Sequence, residues 1–194
     1  MDASSIVSTV FYIALVAASL MWAAFVLISF HVGRPLRVWC RTISEITYIR
    51  KQKTLGRGIV SLYNLLTPLS LGLFATIELM ARTEHWWAFG SAISTLIMLV
   101  LVHLSPLKSR MLTSTKNFSH LLIAGLVFTS LTALIITLPL GWGMKISYGV
   151  IIAVMIVMMA TPKWRKYSGI PQKLTIIYSM GAIITSVVTT AMSL

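Results

Sequence analysis

The sequence predicts an all-α, polytopic membrane protein with six transmembrane helices, both termini outside, and a basic amphipathic helix on the membrane surface after the first span. Three observations lead there. Of 194 residues, 57% are hydrophobic and 10% charged, whereas a soluble domain carries roughly a quarter charged residues because its surface must face water. Six apolar runs approach or exceed the length of about 20 residues that crosses a hydrocarbon core of roughly 30 Å. The basic residues concentrate in alternate connections between those runs. Composition alone excludes an ordinary soluble enzyme, a disordered chain and a collagen-like fibre.

The predicted spans are residues 6–30, 58–81, 87–104, 119–140, 146–161 and 174–193, one helical-bundle domain over 1–194 with no room for a soluble domain. The first run follows Met1-Asp2-Ala3-Ser4-Ser5, which has no Lys or Arg. A signal peptide has a basic leading region, so this run is expected to be a retained helix. In the second run Pro68 removes a backbone donor and frees the carbonyl of Asn64, and Thr67 is placed to satisfy it, which predicts a kink. The fifth run is the shortest, and Trp142 and Tyr148 are expected to anchor its outer end. Gly181, Thr185 and Thr189 on the sixth run, with Ser186 and Thr190 beside them, form a small-residue row, as do Gly125 and Thr129 on the fourth. Such rows let helix backbones approach closely, so both are expected to be packing seams.

Charge sets the predicted orientation. The first connection contains Arg34, Arg37, Arg41, Arg50, Lys51, Lys53 and Arg57. The third contains Lys108, Arg110 and Lys116, and the fifth Lys163, Arg165, Lys166 and Lys173. The opposite side holds only Arg82 and Lys145. The positive-inside rule makes the heavily basic side cytoplasmic, in a plasma or bacterial inner membrane. The formal net charge of +12 would suggest nucleic acid in a soluble protein, but here its expected partner is anionic lipid headgroups and no nucleic acid. Within the first connection, Leu36, Trp39, Ile43, Ile46 and Ile49 recur at helical spacing, with Arg37, Arg41 and Lys51 off that stripe and Glu45 four residues after Arg41. A basic amphipathic helix over about 35–50, lying in the interface plane, is the expected result. Arg37, Arg41, Lys51, Lys163 and Arg165 are the predicted headgroup contacts.

Chemistry-bearing residues are few. Glu78 is the one acid inside a predicted span, and Arg82 four residues later makes an interfacial ion pair the expected arrangement. His31, His103 and His120 fall at the same end of three helices. Together with Glu45 they are candidate metal ligands, although no HxxxH or HxxE spacing demands it. Interfacial histidines more commonly cap helices or meet lipid phosphate. His103 and His120 are also the one pair placed to hold a haem. No cofactor is predicted. The single cysteine, Cys40, forbids an intrachain disulfide, and no GxSxG, phosphate loop or Ser/His/Asp set occurs. The methionines, including Met155, Met158 and Met159, read as flexible packing.

Ile43-Ser44-Glu45 with Leu62-Tyr63-Asn64, Pro106 with His120-Leu121-Leu122, and Gly169 with Gln172-Lys173-Leu174 follow a familiar order. In that order the chain resembles the six-helix bacterial and archaeal membrane proteins grouped as domain of unknown function 998. The resemblance spans nearly the whole chain and implies a six-helix fold without an established reaction. The chain departs from that pattern where Gln172-Lys173 stands in place of Glu-Arg, and where Leu107-Lys108 follows the proline in place of an acid. Ser44, Glu45, Asn64, His103, His120, Gln172 and Lys173 all belong to one membrane face, where a polar pocket for a lipid headgroup is expected.

Three functions fit these features. The first is a non-enzymatic accessory, assembly or lipid-interacting component of a membrane complex with another membrane subunit. The second is a small lipid-acting or metal-dependent enzyme using Glu45, His103 and His120. The third is a small transporter or channel, which would require a polar stripe on at least two helices, and only the sixth, with Ser179, Thr185, Ser186, Thr189 and Thr190, approaches one.

Overall fold

The computed structural model describes residues 55–105, 117–161 and 169–192 with Val16, Lys163, Trp164 and Tyr167; side chains are described from Leu69 onward, apart from His103 and Ala191. The described residues are helical, without strands: α1 (Leu55–Arg82), α2 (Trp86–Leu104), α3 (Phe118–Thr137), α4 (Trp142–Ala160) and α5 (Gly169–Met192). Residues Phe118–Thr137, Trp142–Ala160 and Gly169–Thr190 are long and apolar enough to cross a membrane, and Trp86–Val102 is a shorter apolar stretch. Apart from the helical, exposed Val16, the predicted first span lies outside the described residues, as does the amphipathic helix at about 35–50.

Prolines set several of the boundaries. A residue preceding proline is pushed out of the helical region because the pyrrolidine ring clashes with its backbone. Leu138, before Pro139, is accordingly extended and ends α3, and Thr161, before Pro162, is extended and ends α4. Ser105, before Pro106, leaves helical geometry at the end of α2. Pro171 falls in the first turn of α5, where the missing N–H has no intrahelical acceptor to lose. These signals place α4 and α5 earlier than the apolar runs suggested: α4 opens at Trp142 and α5 at Gly169, not at 146 and 174. α1 runs as one helix through Pro68.

The turn from α1 to α2 is a Schellman-type stop. The His85 N–H donates to the Met80 carbonyl at 3.0 Å, and Glu84 takes the left-handed position at φ 58 that glycine usually fills. α3 and α4 are joined by Leu138–Gly141, where the Lys145 ammonium donates to the Ile136 carbonyl at 2.6 Å. The same ammonium sits 5.7 Å from the Trp142 ring centroid. A cation on the last free carbonyls of α3 offsets the negative end of its dipole.

α2 and α3 form the most extensive pair; α1 packs on α2 and on α5, and α5 also on α4. Lighter contacts of α3 with α4 and α5 close the ring. The core between them holds Leu69, Leu73 and Met80 of α1, Ala88 and Ala92 of α2, Leu131, Leu134 and Ile135 of α3, Tyr148 of α4, and Ile183 and Val187 of α5.

Two expectations about packing are corrected. Gly181, Thr185 and Thr189 are exposed, as are Gly125 and Thr129, so neither row is a seam among the described residues. The buried side of α5, which packs on α1 and α4, is the neighbouring row of Thr175, Ser179, Ala182, Ser186 and Thr190. Tyr148 is no outer anchor: it is 1% exposed, against 79% for Trp142 six residues earlier. An amphipathic ring marks an interface only when its helix turns it outward, and α4 turns Tyr148 onto Tyr178 of α5, centroids 6.0 Å apart.

Candidate functional site

Polar residues gather at the end of the bundle where α2 stops and where α3 and α5 begin. His120 occupies the first turn of α3 and is buried. Its Nδ1–H donates to the Ser105 carbonyl at the end of α2. A carbonyl only accepts, so in this hydrogen bond the proton lies on Nδ1. Asn117, just ahead of α3, is 1% exposed, and Lys173 in the opening turns of α5 is 7% exposed with its ammonium 3.3 Å from the Gly169 carbonyl. Gln172 is half-buried beside it. None of these four side chains is free.

His120 near the start of α3 and Gln172 and Lys173 near the start of α5 therefore lie toward one end of the bundle. His103 and Asn64 are helical, with side chains outside the described residues. His31, Glu45, Ser44, Arg37, Arg41, Lys51 and Arg165 lie outside the described residues altogether. Lys163 is exposed in the turn that follows α4. Among the described residues, no three His, Cys, Asp or Glu side chains come together. At the opposite end the Glu78–Arg82 pair forms as expected, with a guanidinium nitrogen donating to the carboxylate at 2.7 Å.

Inside the bundle a second polar population consists of hydroxyls. Thr76, Thr95, Ser130, Thr175 and Ser179 are all buried. Each donates to a carbonyl of its own helix, at 2.8 Å to Gly72, 2.8 Å to Ser91, 3.0 Å to Val127, 2.9 Å to Pro171 and 2.8 Å to Thr175, respectively. Their donors are thus spent locally, leaving only lone pairs toward neighbouring helices. Among the described residues the Tyr148 and Ser186 hydroxyls are the exceptions: both are buried without a hydrogen-bond partner. The Tyr148 hydroxyl lies toward Ser179 and Thr132.

The outer surface of α4 carries a third feature. An apolar groove of about 580 Å³ is lined by Val150, Ala153, Val154, Val157 and Met158 of α4 and by Trp164 and Tyr167 from the following connection. Sequence inspection missed it, because it depends on two short turns, Trp164 N–H to Thr161 at 3.0 Å and Tyr167 N–H to Trp164 at 2.8 Å, that fold the connection back beside its helix.

Helices of this length and apolarity, with exposed aromatic rings at their ends, define the chain as a helical protein suited to a membrane. No protein-family model, curated protein or solved structure matches it.

Proposed function

We propose that the protein is a six-span integral membrane protein of the plasma or bacterial inner membrane, with both termini outside. In this reading it acts as a non-enzymatic accessory, assembly or lipid-interacting component of a membrane complex. The observation that carries it is the surface of α4. Ile146, Val150, Val154, Ile156 and Val157 are all exposed, between 47% and 63%. Only 11% of the helix's most apolar 18-residue stretch is buried in the bundle. A helix held so lightly by its own chain leaves its apolar side to lipid and to another transmembrane helix. Gly149 and Ala153, four residues apart on one exposed side, are small enough to permit close helix approach.

The test is site-specific photocrosslinking in native membranes from a probe at Ile156. A discrete adduct with a second polypeptide is the expected product. Adducts with lipid alone, together with a solitary protein on gentle extraction, would refute the accessory role.

A further inference from the structure

We propose that the groove on α4 is a binding site for one anionic phospholipid, its acyl chain lying along Val150, Val154 and Val157 and its phosphate at Lys163. This rests on the lipid-interacting part of the reading above and gives it a place. The lining is apolar throughout, and about 580 Å³ falls within the range of roughly 300–1,000 Å³ typical of small-molecule sites. Val150 and Val157 are seven residues apart, so the groove runs about 10 Å along the helix. At hydrocarbon depth only an acyl chain or another apolar side chain can fill such a space, since water there would lack partners.

The mouth of the groove selects the headgroup. Trp164 and Tyr167, 47% and 39% exposed, stand where the helix ends, as aromatic rings do at headgroup level. Lys163, immediately before Trp164, is exposed, and Arg165 and Lys166 adjoin it in sequence. From His85 to Leu194 the sequence contains eight Lys and Arg residues and no Asp or Glu. No Asp or Glu side chain in this half of the chain is present to neutralise Lys163. A lipid phosphate does so and carries the chain that the groove accommodates, which a free phosphate would not.

The experiment is a lipid titration of the purified full chain in mild detergent, read by native mass spectrometry, with palmitoyl-oleoyl phosphatidylglycerol against the corresponding phosphatidylcholine. The wild-type protein should retain one phosphatidylglycerol at concentrations where phosphatidylcholine is not retained. Lys163→Glu, a surface change that leaves the bundle intact, should weaken phosphatidylglycerol retention about fivefold or more, the factor expected for one basic residue at an anionic surface. Val154→Trp, which fills the groove, should lower retention of both lipids. Equal retention of the two lipids by the wild type, or phosphatidylglycerol retention indifferent to both variants, would overturn the site while leaving a lipid-binding protein. Retention of neither lipid would overturn the lipid-interacting reading itself.

Discussion

A hydroxyl inside an apolar bundle is satisfied either by its own helix or across to another one. In this protein Thr76, Thr95, Ser130, Thr175 and Ser179 take the first course, reaching back to carbonyls three or four residues earlier. Tyrosine cannot, because its hydroxyl stands too far from its own backbone, and among the described residues none meets the Tyr148 hydroxyl in hydrogen-bonding geometry. An unsatisfied buried hydroxyl costs about 1–3 kcal/mol. Tyr148→Phe, which keeps the ring and its contact with Tyr178, is therefore expected to leave the thermal midpoint in detergent unchanged or to raise stability by about 1 kcal/mol. A clear loss would show that the hydroxyl is engaged. The Glu78–Arg82 pair was legible in sequence because both residues sit on one helix, four apart, so local geometry determines the contact. His120 was legible as a candidate, but its acceptor was not. Ser105 is fifteen residues away, and only the packing of α2 on α3 brings its carbonyl to Nδ1.

For whole helices, sequence reports existence more reliably than orientation about the axis. Apolar runs and the residues before proline locate the helices and several of their ends, because both act through local sterics and solvation. Which side of α5 turns inward is another matter. Two parallel rows of small and hydroxylic residues run along it, Gly181-Thr185-Thr189 and Ala182-Ser186-Thr190, offset by a single residue. Both satisfy the close-approach pattern, and only the packing on α1 and α4 chooses the second. Ser186→Leu, placing bulk where the side chain is fully buried, is expected to cost about 1–3 kcal/mol. Thr185→Leu on the exposed side should change stability by no more than about 0.5 kcal/mol. Thermal unfolding and monodispersity in detergent compare the two, and equal damage from both would refute the assigned face.

Across the whole molecule, the ring of helices makes a consistent prediction about sidedness. The short turns α1–α2 and α3–α4 lie at one end, with Arg82 and Lys145, and the Lys163 connection lies at the other. In a chain with Cys40→Ser, a Lys145→Cys variant should react with a membrane-impermeant thiol reagent added to intact cells. A Lys163→Cys variant should react only after permeabilisation. The reverse pattern would invert the proposed orientation. Ring order, unlike sidedness, has no sequence signature: α1 packs on both α2 and α5, and nothing in residues 55–82 marks them as neighbours of residues 169–192.

Composition, apolar length and charge asymmetry determined that this is an all-α protein suited to a membrane, because the solvent a segment faces dictates how polar it can be. Short-range sterics determined several helix ends, and one-helix spacing determined the Glu78–Arg82 pair. The tertiary structure decided the rest: which row of α5 is buried, that Tyr148 belongs to the core, which carbonyl holds His120, and that Trp164 and Tyr167 turn a bare side of α4 into a groove. Each of these depends on the rotation of one helix against another or on a chain doubling back. In an apolar medium several faces of a helix are equally able to pack, so the choice among them is made only by the neighbours that the assembled bundle provides.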